Sequence, residues 1–363
     1  MMDERAFCPK VGYPIPAWDN KHRLSIEGKV GPDIADSGTI FEVNSTFMEI
    51  SDQPHMMRQW YAGATLISVL ITIIFLYGTM VIFITHPPKY IDGAVIAAAA
   101  VFVLSPLFFC GIAIRFGRNE FFWLKRRPIR FNRTTKKIYA IRHRRYRNAS
   151  VIGDFCWEIP WDDSSIFCVH KGPAKFDLEE QFHIRCYQLD DEGNVARAFA
   201  LGREWHGIDG MNDLLAQWNY WCTYMNVGPQ YLPLPLLYLS QRENVFESFL
   251  YCLYELGFNL GPAIRAFFVP FVVLLTGNRL ISLWTCRNPI WPADVAEVSE
   301  IPMSDLYVQP RGATPVGWAA TARARRSGKY PLAPRCVTPD WSGEQDSIVN
   351  AQRWMHGEAS TDL

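Results

Sequence analysis

The chain lacks the short motifs of common enzyme classes. It contains no G-x-x-x-x-G-K-[ST] loop, no G-x-G-x-x-G after a predicted strand, no H-E-x-x-H and no G-x-S-x-G. Asp162-Asp163 is more typical of a turn than of catalytic carboxylates, and Asp190–Glu192 lies at a predicted hairpin tip without spaced metal ligands. The sequence therefore favours a protein that is not an enzyme and holds no cofactor or metal. Two weaker enzyme candidates remain: Glu204 with His206, and Cys156 or Cys168 with His170.

A disulfide framework is also missing. The nine cysteines are scattered, odd in number and without C-x-x-C spacing, which indicates reduced thiols in the cytoplasm. The segment Met1–Lys10 has neither the basic head nor the apolar core of a signal peptide. We therefore expect the apolar segments of the chain to direct it to a membrane.

Charge is absent from two long stretches, Ala64–Thr85 and Gly93–Ile114. Each would form a helix of about 33 Å, which matches a hydrocarbon core of about 30 Å. Pro87 and Pro88 lie in the short connection and favour a turn. This pattern predicts a transmembrane helical hairpin; two buried helices of a soluble protein are the less favoured alternative.

Acidic residues are scarce after the second apolar stretch. From Arg115 to Ser150 the chain has thirteen Lys and Arg residues and one acid, Glu120. Such loops stay in the cytoplasm, so both termini are expected there. The block either only sets this orientation or also binds anionic lipid headgroups. The candidate headgroup-binding residues are Lys125, Arg126, Arg127, Lys136, Lys137, Arg144 and Arg145. No nucleic-acid-binding motif accompanies them, so nucleic acid is not an expected partner.

Short strands and one helix are predicted around and after this block. The predicted strands are a pair within Gly38–Ile50, Phe121–Leu124, a hairpin within Lys125–Arg144, Phe155–Trp161, Ile166–His170, and a hairpin of Phe182–Leu189 with Val195–Leu201. An apolar stripe from Met211 to Met225 predicts an amphipathic helix with Asp209 as N-cap. The sequence leaves open whether the segment before the first apolar stretch packs on this domain or lies near the membrane.

The last third is less regular. Arg242–Leu256 is predicted to form an amphipathic helix. In Gly257–Trp284, Arg265 and Arg279 bound an apolar run of about 20 Å, which favours an interfacial or packed segment over a third crossing. Prolines recur from Asn288 onward and predict an extended or disordered tail.

The strand-then-helix order is that of a pleckstrin-homology (PH)-like fold. With Arg127–Tyr139, Trp157–Trp161 and Asn288–Pro292, the layout resembles an uncharacterised bacterial inner-membrane family with two transmembrane helices and a PH-like domain, often encoded near type VI secretion and polymorphic-toxin loci. The resemblance implies an α+β membrane protein: a two-helix hairpin plus a PH-like antiparallel barrel or sandwich capped by a C-terminal amphipathic helix. The expected regions are residues 1–60, the hairpin at 61–117, the PH-like domain at 118–229, a helical region at 230–292 and a tail at 293–363.

The resemblance also implies a function. The expected protein is a membrane-anchored interaction protein facing the cytoplasm, an immunity or accessory protein whose partner is a toxin or secretion component. The alternative is a PH-like module that binds anionic lipids. Membrane lipids are expected partners in both cases.

Overall fold

A computed structural model describes residues 11–36, 38–85, 93–141, 154–172, 179–235, 237–255, 262–311, 327, 336–337 and 344–357. It is a mixed α+β structure with antiparallel sheets and three long apolar helices. The chain forms two compact units. The helical unit comprises Met57–Lys125 and Asn244–Asn288, and the strand unit comprises Met2–Met56, Arg126–Glu243 and Pro289–Leu363.

The elements follow one another along the chain in three groups. Before the first long helix lie α1 (Ala17–Lys21), β1 (Arg23–Leu24), β2 (Asp33–Ile34), β3 (Ile40–Val43), β4 (Phe47–Ile50) and α2 (Gln53–Met56). Then come α3 (Arg58–Thr85), α4 (Gly93–Glu120), β5 (Ile129–Asn132), β6 (Lys137–Ile141), β7 (Cys156–Pro160), β8 (Ser165–Lys171), β9 (Gln181–Leu189), β10 (Val195–His206) and α5 (Gly207–Asn226). The last group is α6 (Val245–Glu255), α7 (Pro262–Thr285), α8 (Ala293–Glu297), β11 (Cys336–Val337) and α9 (Glu344–His356).

Three helices of the helical unit are long and apolar enough to cross a membrane: α3, α4 and α7. The two predicted apolar helices are confirmed, and each is six residues longer than its uncharged stretch. The length argument for the third segment needs correction, because α7 has 24 residues and includes Arg279, which is wholly buried. The preference for an interfacial or packed segment over a third crossing stays a prediction.

A five-stranded antiparallel sheet has the order β3-β4-β5-β6-β7. The predicted pair within Gly38–Ile50 is confirmed, and β4 pairs with β5 in the register Phe47↔Asn132 and Ile50↔Ile129. This register answers the question left open by the sequence, since the segment before α3 is part of the same sheet as the segment after α4.

The second main sheet has the order β1-β8-β9-β10, and α5 packs in the core of the strand unit. The predicted stripe is confirmed, with Trp218 and Trp221 buried. The predicted N-cap was wrong. Strand β10 runs to His206, and Gly207 turns the chain with φ +65°, so the helix starts two residues before Asp209.

Two further predictions need correction. Phe121–Leu124 is not a strand, because α4 continues to Glu120 and Phe122 takes the left-handed conformation (φ +60°) typical of a residue after a helix. The tail contains regular elements in its described parts: α8 is a short helix, β11 pairs with β2, and α9 contributes Trp354 to the core. Among the described strands the two main sheets do not close into a barrel.

Candidate interaction surfaces

The predicted headgroup-binding cations are largely occupied by partners inside the strand unit. Glu49 on β4 is buried, and its two carboxylate oxygens bind Arg126 and Arg130, the latter at 2.9 Å. Burial alone would raise the pKa of Glu49, but the two guanidinium groups outweigh it, so the pKa is lowered. This part of the basic block therefore neutralises a buried acid instead of presenting free charge.

Among the residues that the structure describes, the other predicted cations do not form one open patch either. Lys136 sits in the β5–β6 turn and donates to the Met225 carbonyl oxygen, while Lys137 pairs with Glu158 at 2.8 Å. Arg127 is buried, and Lys125 is half-buried at the end of the helical unit's first segment. Arg144 and Arg145 lie outside the described residues.

Exposed cations are found instead at the end of α4. Arg115 and Arg118 are exposed in its last two turns, next to apolar side chains such as the exposed Ile114. This position is typical of residues at the boundary between the hydrocarbon core and the headgroups.

A buried polar centre lies on one face of the β8–β9 pair. The Asp19 carboxylate accepts hydrogen bonds from Tyr187 and from His170 Nδ1 at 2.8 Å, and Arg185 Nη1 lies 3.9 Å away. Asp19 is itself only 1% exposed, so these partners compensate its buried charge. The sequence missed this orienting carboxylate, because Asp19 is about 150 residues from the histidine it binds.

The Asp19 centre bears on the thiol candidate near His170. Cys168 shares a sheet face with His170, but burial, reinforced by nearby Asp19, raises the pKa of its thiol. A thiol of this kind is protonated near neutral pH and is a poor nucleophile. In the part of the chain that the structure describes, no three His, Cys, Asp or Glu side chains are placed to hold a metal ion.

A loop runs past the ends of β5, β4 and β3 at one end of the five-stranded sheet. We call residues 298–309 the strap. Gln309 exchanges two backbone hydrogen bonds with Val43 of β3 (2.8 and 3.0 Å), and the Val298 carbonyl oxygen accepts from Asn132 Nδ2 at 2.8 Å. These contacts hold both ends of the strap against the sheet.

The middle of the strap is braced by Asp305. Its carboxylate accepts the backbone N–H groups of Ser45 (2.7 Å) and Tyr307 (2.8 Å). Partial burial alone would raise the pKa of Asp305, but these donors outweigh it and the pKa is lowered. The strap backbone is thus held by polar contacts and does not depend on packing of its exposed apolar side chains.

Those apolar side chains point to solvent. Met303 is fully exposed, Leu306 is 75% exposed and Tyr307 is 42% exposed. Between Ala293 and Gln309 there are four acids and no Lys or Arg: Asp294, Glu297, Glu300 and Asp305. Sequence reasoning missed this surface because its prolines were interpreted as signs of a disordered tail.

A family model covers residues 106–301, which is more than half of the 363 residues. It is described as a family of unknown function, DUF6708. The chain belongs to the DUF6708 family. The match begins within α4 and ends inside the strap, so DUF6708 includes the sheet strands from β5 to β10, α5 and α7. No curated protein and no solved structure matches the chain.

Proposed function

We propose that this DUF6708 protein is a membrane-anchored interaction protein that binds a protein partner through the strap at the cytoplasmic surface. The apolar helices support the anchoring, and the exposed Met303 and Leu306 on a braced backbone carry the binding proposal. Pre-organised apolar side chains lose little conformational entropy on association, which favours such a surface as a binding site.

The charge of the strap favours a particular kind of partner. Its acids, together with those of α8, would be repelled by anionic lipid and by nucleic acid, whereas a basic protein surface would be attracted. A bacterial toxin or secretion component of this chemistry fits the immunity or accessory role, and type VI secretion is the proposed context. On the same proposal the strand unit is a PH-like domain, α3–α4 is a transmembrane hairpin, and no catalysis is involved.

The proposal is tested by co-expressing the full chain with the product of the adjacent reading frame and isolating the pair in detergent. We expect a direct complex that weakens at high salt and is lost in the double variant Met303→Ser/Leu306→Ser. Both side chains are exposed, so the variant should fold normally. Val349→Ser, which changes a 41%-exposed side chain on α9, is the matched control and should bind normally. If the partner is a toxin, growth protection should follow the same order.

A complex that tolerates the strap double variant, or no complex with any neighbouring product, would argue against this function. The second candidate, recognition of anionic lipid, is favoured by the exposed Arg115 and Arg118. It predicts that anionic lipid stabilises the full chain in vesicles and that Arg115→Gln/Arg118→Gln removes the effect. Lys137→Gln is the control, because Glu158 already pairs with that cation.

A further inference from the structure

The segments that flank the helices of the helical unit belong to one hydrogen-bonded unit. Before α6, the Leu239 N–H group donates to the Ile40 carbonyl oxygen of β3 at 2.8 Å. Strand β4, before the helical unit, pairs with β5, which follows α4. After α7, Gln309 pairs with Val43 and Val298 accepts from Asn132. Backbone pairing of this kind cannot be divided between the two sides of a bilayer, since the hydrocarbon core does not tolerate open sheet edges. Each of the two helix pairs, α3–α4 and α6–α7, must therefore begin and end on the same side of the membrane.

The α3–α4 pair satisfies this condition with two helices that are each long enough to cross. The α6–α7 pair cannot cross twice. Helix α6 has eleven residues, about 16 Å, and carries Glu247 and Glu255. Helix α7 has 24 residues, about 36 Å. A crossing needs about 20 apolar residues, so only α7 is long enough.

Contacts inside the helical unit show where α7 ends. Ser282 Oγ lies 2.6 Å from Arg58 Nη1 at the start of α3 and donates to the Glu120 carbonyl oxygen at the end of α4 (2.8 Å). Arg279 Nη1 donates to Gln59 at 2.9 Å, in the same region. The C-terminal end of α7 therefore lies at the end of the α3–α4 pair from which the chain enters and leaves.

Helix α6 runs back along α7. Cys252 packs with Val272 and Leu275, and the Tyr251 ring lies 4.0 Å from the Arg279 guanidinium. Only six residues separate the two helices in the sequence, and two packed helices with so short a connection form an antiparallel helical hairpin. Its entry and its exit lie at the same end.

The remaining half of α7 has apolar side chains around its whole circumference. Phe267, Phe268, Val269 and Phe271 are all exposed, and no Asp, Glu, Lys or Arg occurs between Arg265 and Arg279. A helix that is apolar on every side is suited to lipid and not to water. The Phe271 ring lies 5.8 Å from that of Trp60, so this part of α7 still contacts the first turn of α3, at the end where the chain enters the helical unit.

We propose that α6 and α7 form a re-entrant hairpin, which inserts into the leaflet on the side of the strand unit and returns to that side. The occupant of the exposed α7 surface is the acyl-chain region of that leaflet. The inference rests on the proposed membrane anchoring, but not on the strap as a binding site. A single third crossing by α7 would place the strap on the far side and break its pairing with β3.

The test uses the full chain in spheroplasts with a membrane-impermeant maleimide. Three exposed positions receive cysteine: Thr85→Cys at the far end of α3, Ala263→Cys at the start of α7, and Ser304→Cys in the strap. Mass spectrometry locates the modified peptide, so the native cysteines can remain. In intact spheroplasts we expect labelling of Thr85→Cys alone. After lysis Ser304→Cys should react, while Ala263→Cys stays protected until detergent is added.

Each contrary outcome has a distinct meaning. Labelling of Ser304→Cys from outside would establish a third crossing and overturn the proposal. Labelling of only Ala263→Cys and Thr85→Cys from outside would establish a complete second hairpin, which also overturns it. Reaction of Ala263→Cys as fast as Ser304→Cys after lysis would place the start of α7 in water and overturn the proposal. Disulfide cross-linking between two chains through Ala263→Cys would show that a second copy covers α7 instead of lipid, which also overturns it. If the chain stays soluble without detergent, the anchoring itself fails.

Discussion

Glu49 is a buried acid that pairs with part of the basic cluster after α4. In the sequence, the cations after the second apolar stretch look like an unbroken basic surface. In the fold, Glu49 lies on the strand beside them and binds Arg126 and Arg130, and the Arg130 guanidinium also lies 3.9 Å from the Phe47 ring. The acid is about 80 residues away in the chain, so no local pattern indicates the pairing.

His183 provides a test at the residue scale. It is buried on β9, and burial lowers its pKa well below the usual value of about 6.5. The unfolded chain binds a proton at this residue as the pH falls below about 6.5, whereas the folded chain does not. The contribution of His183 to the free energy of unfolding is therefore complete above pH 6.5 and falls below it, by at most about 1.4 kcal/mol per pH unit.

We expect His183→Gln to flatten the decline in thermal stability of the detergent-solubilised chain between pH 7 and 5. Some slope should remain, since burial lowers the pKa values of His22 and His206 as well. His356→Gln, at an exposed position on α9, is the control and should retain the full slope. An unchanged slope in His183→Gln would contradict the assignment.

Among the elements, the long helices are the part that local pattern predicts best. Uncharged stretches of this length have few alternatives to a helix, and α3 and α4 follow them closely. How closely two helices approach depends instead on single small residues. At Gly117 an added Cβ would lie 2.7 Å from Thr65 Cγ2, whereas at Gly111, in the same helix, it would meet nothing within 4 Å.

The prediction at this scale compares Gly117→Ala with Gly111→Ala. The added methyl group at residue 117 collides with a β-branched side chain that has little rotamer freedom, so we expect a loss of about 1–3 kcal/mol. At residue 111 the change should be neutral or slightly stabilising, because alanine favours the helix. Thermal unfolding in detergent measures both. Equal effects would show that α3 and α4 do not approach as described.

The whole molecule depends on segments that are distant in sequence. Helix α9, near the end of the chain, packs on α5 and places Ala351 and Trp354 in the core of the strand unit. Asn350 Nδ2 also donates to the Val30 carbonyl oxygen at 3.1 Å. The first and last described parts of the chain are thus both required for the same core.

Trp354→Ala tests whether α9 contributes to this core. Removing a large buried side chain costs about 3–5 kcal/mol, so we expect a clear loss of thermal stability in the full chain. Arg353→Ala, at an exposed position in the same helix, should change stability by less than about 0.5 kcal/mol. If the two variants behave alike, α9 does not contribute to the core.

The sequence by itself determined the two uncharged helices, the β-hairpins and the amphipathic stripe of α5, because each depends on the spacing of apolar residues within one short segment. The tertiary structure alone decided the partners of the basic residues, the strap and the position of α9. These features arise from pairing between segments more than 80 residues apart, where charge compensation and burial override local composition.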